Sequence, residues 1–268
     1  MNNNLRDRLR RLGVHKGAGH VVSAPRHAAR FGRENMTGRD EAAILAYERA
    51  PYSAASDAPL WNIEQETAYG LARVRRTHYP LQHQHGDWSI NDVLARPPHL
   101  LARLNDGSGF DPHTAVFLDT ETTGLAGGAG TLVFLVGVGY FEKDDGGAES
   151  FTIDQYFLHE PAEEAAMLDA LNGRMATVEA MVTFNGRSFD VPLLETRFTL
   201  SRLRSGLSGL ANLDLLVPAR RAWRAELESC RLSSLEYHML GVRRDQQDIP
   251  GALIPQLYRE YLLDHQPA

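Results

Sequence analysis

The chain of 268 residues carries a formal charge of −6, with 43% apolar and 23% charged residues, the proportions of a globular protein long enough for one large domain or a domain with a smaller companion. Its one cysteine, Cys230, excludes an internal disulfide and a cysteine-based zinc site and suits a reducing compartment. No apolar run approaches the ~20 residues of a membrane span, and residues 1–11 lack the apolar core of a signal peptide, so a cytoplasmic chain without membrane association is expected.

Leu5, Leu9 and Leu12 at helical spacing, followed by Gly13, predict a short basic amphipathic helix over 5–13. Residues 14–60 are rich in Gly, Ala, Ser, His and Arg and weakly periodic, apart from a helix-compatible stretch at 39–49. Residues 67–77 suit one or two strands, ended by Tyr79-Pro80. Residues 89–95 and 98–104 read as short helices, with Ser89 a candidate N-cap. A Gly- and Asp-containing turn at 106–112 marks a boundary. Residues 1–110 are accordingly expected to form a smaller helical and irregular region, and residues 111–268 the main domain.

From Ala115 the pattern becomes regular. The run Ala115-Val-Phe-Leu118 is a buried strand, residues 131–141 a second, and residues 149–158 a third across the hairpin turn Asp144-Asp-Gly-Gly147. Pro161 and its neighbouring glutamates suit the start of a helix over 160–172. A fourth strand at 178–184, a helix at 189–203 and a fifth strand at 210–215 follow. Helices at 218–227, 233–240 and 254–263 close the chain. Three antiparallel strands and then alternating helices and strands predict an α/β fold, a mixed five-stranded sheet with flanking helices.

The first of these strands ends in two carboxylates, Asp119 and Glu121. Residues i and i+2 of a strand share a face, roughly 6.6 Å apart along it, two steps of about 3.3 Å. Like charges at the end of a core strand call for a cation. Asp190 follows the fourth strand and its Asn185-Gly186 turn, at a helix start whose dipole favours an ionised acid. If the first and fourth strands are parallel neighbours, Asp190 faces Asp119 and Glu121 at the edge where ligands gather in α/β sheets. Three carboxylates favour hard cations, Mg²⁺ or Mn²⁺, in a pair roughly 3.5–4 Å apart that activates water for in-line phosphodiester cleavage.

Other polar groups have plainer readings. Asp214 before a helix is an N-cap, and Asp248 before Ile249-Pro250-Gly251 is a turn former. The glycine-rich stretch 124–130 lacks the Lys-Ser/Thr ending of a phosphate-binding loop. His78, His83 and His85 suit a polar strand face better than zinc. The basic runs Arg73/Arg75/Arg76, Arg220/Arg221/Arg224 and Arg243/Arg244 read as solvated faces, which would hold phosphates only if they line one groove.

The motif Asp119-Thr-Glu-Thr-Thr-Gly124 resembles the first motif of the DEDD 3′–5′ exonucleases, a branch of the RNase H-like superfamily. A longer similarity is to the YprB-type RNase H-like family, carried by FLDTETTGLAGGAGT (117–131), VTFNGRSFDVPLLETRF (182–198), LDLLVPARR (213–221), SCRLSSL (229–235) and DIPGALIP (248–255), with YPLQHQHG (79–86) upstream. The resemblance implies an RNase H-like fold and a metal-dependent 3′–5′ exonuclease acting on a single-stranded end of DNA or RNA. Asp119, Glu121 and Asp190 would be its catalytic metal ligands, and Thr122, Gly124 and Asn185 candidate substrate contacts. It also implies a fourth acid in a Tyr-x-x-x-Asp or His-x-x-x-x-Asp setting. Neither pattern follows Asp190. The main domain is therefore expected to be incomplete at its C-terminus. The alternatives are that Asp214, Asp248 or Asp264 substitutes, or that the fold survives as an inactive nucleic-acid-binding module.

Overall fold

Strand β5 (Ala115–Thr122) joins the antiparallel part of the sheet to its parallel part. Val116 and Leu118 on one face and Ala115 on the other are buried, and burial relaxes from Asp119 onward as the strand leaves the core. The computed structural model describes residues 60–104, 110–124, 130–242, 249 and 251–264. The helices expected over 5–13 and 39–49 lie outside the described residues.

The sheet has seven strands rather than the five expected, in the order β1-β2-β7-β6-β5-β8-β9. Strands β6 (Val133–Lys143) and β7 (Glu149–Phe157) follow β5 as antiparallel neighbours, while β8 (Ala180–Thr183) and β9 (Ala211–Asp214) add on its other side in parallel. The two additional strands, β1 (Ile63–Thr67) and β2 (Gly70–Pro80), form a hairpin that pairs antiparallel with β7. They lie upstream of residue 110, so the sheet draws on the segment assigned by sequence to the N-terminal region. Strands β3 (Gln84–His85) and β4 (Trp88–Ser89) make a separate two-stranded ribbon. The short helices α1 (Asn91–Leu94) and α2 (Pro98–Leu104) follow. The α1 N-cap position belongs to Ile90; the Ser89 amide and hydroxyl instead both donate to the Asp92 carboxylate, at 2.7 and 2.8 Å.

Helices α3 (Glu164–Met175) and α4 (Asp190–Leu200) cover one face, α3 on β1, β2 and β7 and α4 on β6. On the other face Ala115, Val182 and Leu213 form an apolar cluster with Phe110, Phe117 and Leu215. Phe117, Phe141 and Phe151 extend it edge-on, with centroids 5.0–6.2 Å apart. Gly139 makes room for this packing, because a Cβ there would stand 2.5 Å from Phe151 Cζ.

Charged groups lie inside as well. Asp154, fully buried on β7, receives Arg76 of β2 through two bonds of 2.6 and 2.7 Å and the Tyr140 hydroxyl at 3.1 Å. Arg174 of α3 stands 3.7 Å over the Tyr140 ring. The bond to Asp154 raises the Arg76 pKa, while burial, with Asp154 adding, pushes the Tyr140 phenol well above its ordinary range. Arg73 pairs with Glu163 and lies 4.9 Å over Trp61. Arg73 and Arg76 are thus structural cations, not the solvated face read from the sequence. Between α3 and α4, Arg197 and Glu164 make a two-pronged buried pair, both bonds 2.6 Å.

The seven-stranded sheet and helices α1 to α4 belong to one compact unit, Trp61–His83 with Ser89–Ala222. A second unit contains Gln84–Trp88 and, from Trp223 on, helices α6 (Leu232–Leu240) and α7 (Ile254–Asp264). There the Asp87 amide donates to the Leu240 carbonyl at 2.7 Å, and Gly86 (φ 66°) lies so close that a Cβ would stand 1.9 Å from that oxygen. His85 Nε2 is 3.7 Å from Glu236 Oε1 in the same unit. Among the described residues no three His, Cys, Asp or Glu side chains are grouped to hold a metal ion, so His78, His83 and His85 form no such site. No helix among those residues is long and apolar enough to cross a membrane.

The Arg197–Glu164 pair gives a stability prediction. Glu164→Ala strands a buried guanidinium and is expected to cost about 3–5 kcal/mol, whereas replacing both partners together by Met and Leu is expected to be near neutral. Urea unfolding of the single and double variants measures this, and equal losses in both would contradict it.

Candidate active site at the end of the central strand

Because β5 and β8 are parallel, with Ala115 opposite Ala180 and Phe117 opposite Val182, their C-terminal ends leave the sheet at the same edge. The β5 end delivers Asp119, exposed, and Glu121, half-buried. By the alternation of a strand both acids share the face of Phe117, and Thr120 points to the opposite face, with Leu118. Glu121 Oε1 is buried and accepts no hydrogen bond from the described residues, while the residue has interactions of its own. Beyond the strand, the Thr122 hydroxyl donates to the Gly124 carbonyl at 2.9 Å. The Thr123 amide donates to the Leu132 carbonyl, and the Leu132 amide to the Thr123 hydroxyl, each at 3.0 Å. These bonds close the base of the glycine-rich connection, so Thr122 and Gly124 flank the two acids.

The β8 end turns sharply. Asn185 adopts φ 68°, and a Cβ at Gly186 would stand 2.6 Å from Thr183 Cβ. Ser188 and Phe189 amides donate back to Asn185 and Gly186 carbonyls, and the Val191 amide reaches Gly186 O at 2.9 Å. The chain so folded enters α4 with Asp190 as its first residue. The Asp190 carboxylate accepts the Thr120 hydroxyl at 2.5 Å.

Asp190 therefore meets β5 at the residue between Asp119 and Glu121, from the face that α4 covers. The two strand acids and the helix acid flank one strand end; they do not crowd onto a single face. Among the described residues Asp119, Glu121 and Asp190 form no closed group around an ion position, and the Thr120 hydroxyl gives Asp190 a neutral partner. The donor set is all carboxylate oxygen, which fits a hard divalent cation and not a soft one. The buried Glu121 carboxylate oxygen at the strand end is the local feature that suits such an ion.

Asp214, weighed from sequence as a substitute fourth acid, is committed elsewhere. It is 6% exposed, and its carboxylate accepts three backbone amides: Asn185 at 2.7 Å, Leu216 at 3.0 Å and Arg187 at 3.2 Å. The Leu216 bond reaches the first residue of α5 (Leu216–Trp223), so Asp214 braces the helix start from one position before the N-cap expected of it; the other two cross to the β8 turn and had no sequence signal. Asp264 is exposed on α7, in the second unit. Asp248 and the Arg243/Arg244 pair lie outside the described residues. Arg220, Arg221 and Arg224 are exposed. Thr120 is a site residue that the motif reading passed over, although its place between the two acids was a usable signal.

Comparison with known proteins identifies the family. A family model described as the RNase_H superfamily matches residues 116–268. The chain is 34% identical over 199 residues to the uncharacterized protein YprB of Bacillus subtilis (strain 168). That similarity covers 72% of this chain and 46% of the relative, so the chain spans less than half the length of the protein it matches. With the mixed sheet, the flanking helices and the Asp-x-Glu strand end in place, the chain belongs to the RNase H superfamily, in its YprB-type RNase H-like family.

Proposed function

We propose that this chain is a metal-dependent nuclease that hydrolyses phosphodiester bonds of DNA or RNA, removing nucleotides from a single-stranded 3′ end. Superfamily membership points to nuclease or nucleic-acid-related activity, and RNase H-like nucleases generally use divalent metals. The observation that carries the finer reading is the meeting of Asp190 with the Asp119–Glu121 strand end through Thr120.

Asp119, Glu121 and Asp190 are the residues that would hold Mg²⁺ or Mn²⁺. Such an ion would supply Lewis acidity at the phosphoryl oxygens and lower the pKa of a water so that hydroxide is available near neutral pH. The chain's own groups do the rest. Asp119, being exposed, is open to the substrate; Glu121 is half-buried, with one carboxylate oxygen enclosed. The N-terminus of α4 and the Thr120 hydroxyl both favour the ionised form of Asp190. Phe189, 60% exposed and next to Asp190, offers a stacking surface for a base of an unpaired end. Arg187, also exposed, supplies a cation two residues before it.

A second reading, an inactive RNase H-like module that only binds nucleic acid, rests on Asp119, Glu121 and Asp190 forming no closed metal-holding group among the described residues. End-labelled single-stranded DNA and RNA incubated with Mn²⁺ separate the two. The nuclease reading expects shortening from the 3′ end, stopped by chelation and reduced about 10²–10³-fold in Asp119→Ala, the range for losing one charge-stabilising group. No cleavage by the parent, with equal nucleic-acid binding by parent and Asp119→Ala, supports the module instead.

Thr120 gives a separate expectation. Losing a hydrogen bond to a charged group is worth about 1.5–3 kcal/mol, so Thr120→Val should lower cleavage by about 10- to 100-fold, with Thr120→Ser restoring most of it. Rates for both variants at saturating Mn²⁺ check this; an unaffected Val variant removes Thr120 from the site.

A further inference from the structure

We propose that Asp214 is a positioning residue: its buried carboxylate fixes the backbone of the 185–188 turn and, through it, the place of Asp190. This rests on the nuclease reading of the strand end given above.

Asn185 lies in the left-handed region of backbone conformation. Asparagine tolerates that region better than most residues other than glycine, but the turn keeps this conformation only where its surroundings hold it. What holds it is Asp214, which takes the Asn185 amide at 2.7 Å from the end of the neighbouring strand β9. The second oxygen takes the Arg187 amide at 3.2 Å, so the turn is gripped on both sides of Gly186. Gly186 itself fits tightly against Thr183, and its carbonyl accepts the Val191 amide at 2.9 Å in the first turn of α4. A continuous path of bonds thus runs from Asp214 to Asn185 and Arg187, through Gly186, to the turn of helix that carries Asp190.

The same path is braced from outside the turn. The Leu216 amide shares the Asp214 oxygen that Asn185 uses, at 3.0 Å, and the Leu215 amide donates to the Thr183 carbonyl at 2.8 Å. The Arg187 side chain returns to the Asn212 carbonyl at 2.5 Å, and the Thr183 hydroxyl bonds Asn212 Oδ1 at 3.1 Å. The ends of β8 and β9 therefore behave as one framework with Asp214 at its centre.

The chemistry requires an acid there. Three donors converge on two oxygens, and only a carboxylate has acceptors on both arms. Asparagine keeps one oxygen for Asn185 and Leu216 but turns an NH₂ group toward the Arg187 amide. Alanine abandons all three donors in a buried place, where each lost partner is costly. An error of about 1 Å in the position of a reacting group can cost about 10²-fold in rate, which sets the expected scale.

The test compares the 268-residue chain with Asp214→Ala, Asp214→Asn, Asp190→Ala and the Asp190→Ala/Asp214→Ala double variant. Amide hydrogen exchange should quicken about tenfold or more at Asn185 and Arg187 in Asp214→Ala, and at Arg187 alone in Asp214→Asn, with α3 unchanged. Mn²⁺-dependent cleavage should fall about 10²-fold in kcat for Asp214→Ala with KM unchanged, and less for Asp214→Asn. The double variant should be no slower than Asp190→Ala, because the two residues act through one position. Unchanged exchange at Asn185 and Arg187 overturns the proposal. So does general loss of protection throughout the sheet, or a further full drop in the Asp190→Ala background. An inactive parent chain counts against the nuclease reading alone, and the exchange arm then decides the role of Asp214 by itself.

Discussion

Parallel pairing of β5, β8 and β9 brings three segments of chain out of the sheet at one edge, and each emerges beside an acid. The environments of those acids separate their tasks. Asp119 stands in solvent, Glu121 is half-buried with one oxygen enclosed, Asp190 sits at a helix start on a hydroxyl, and Asp214 is sealed among backbone amides. The strand order makes the neighbours, and the exposure of each position decides whether its carboxylate meets ligand or polypeptide. Everything the site can do depends on that edge being in register, because a one-residue slip of β5 would exchange the faces of Asp119 and Thr120.

Much of this was readable in the chain. Apolar runs ending in turn residues located β5 to β9, and the hairpin and crossover order implied the mixed sheet. The motif around Asp119 and the one around Asp190 named the family because both couple an acid to a strand end. What escaped notice shares one physical property: the partner is far away in sequence. Arg76 meets Asp154 78 positions on and Arg73 meets Glu163 90 positions on, so two arginines that looked like a solvated stripe are interior cations. Strand β1, Ile63-Glu-Gln-Glu-Thr67, has three exposed central residues and no apolar run to announce it; it is a strand because β2 pairs with it. Asp190 and Thr120 are 70 positions apart, and nothing local says which face of β5 the helix will choose.

The buried charges also account for how the strands are aligned. Asp154 on β7 is satisfied by Arg76 from the neighbouring strand, by Tyr140 from the strand on its other side and by Arg174 from the helix above. Burying an ion pair gains little net stability over a well-packed apolar group. Misaligning β2, β7 or β6, however, would leave a carboxylate or guanidinium without its partner in the core, a cost of several kcal/mol. Arg197 and Glu164 do the same between the two helices, and α4 is the helix that presents Asp190. Ionic contacts remote from the strand end therefore hold the parts of the site in relation to one another.

The short turn between β6 and β7, where Asp144 accepts the Ala148 amide through its side chain and donates its own amide to the Ala148 carbonyl, has a bearing on time as well as shape. Contacts close in sequence form early, because little loop entropy is lost in closing them, and distant pairings form late. The β6–β7 hairpin is local, whereas β5 meets β8 only after an intervening hairpin and helix, and Thr120 finds Asp190 across 70 residues. Assembly in that order raises the apolar wall first and gathers the acids onto it afterwards, when their mutual repulsion is opposed by a sheet already in place.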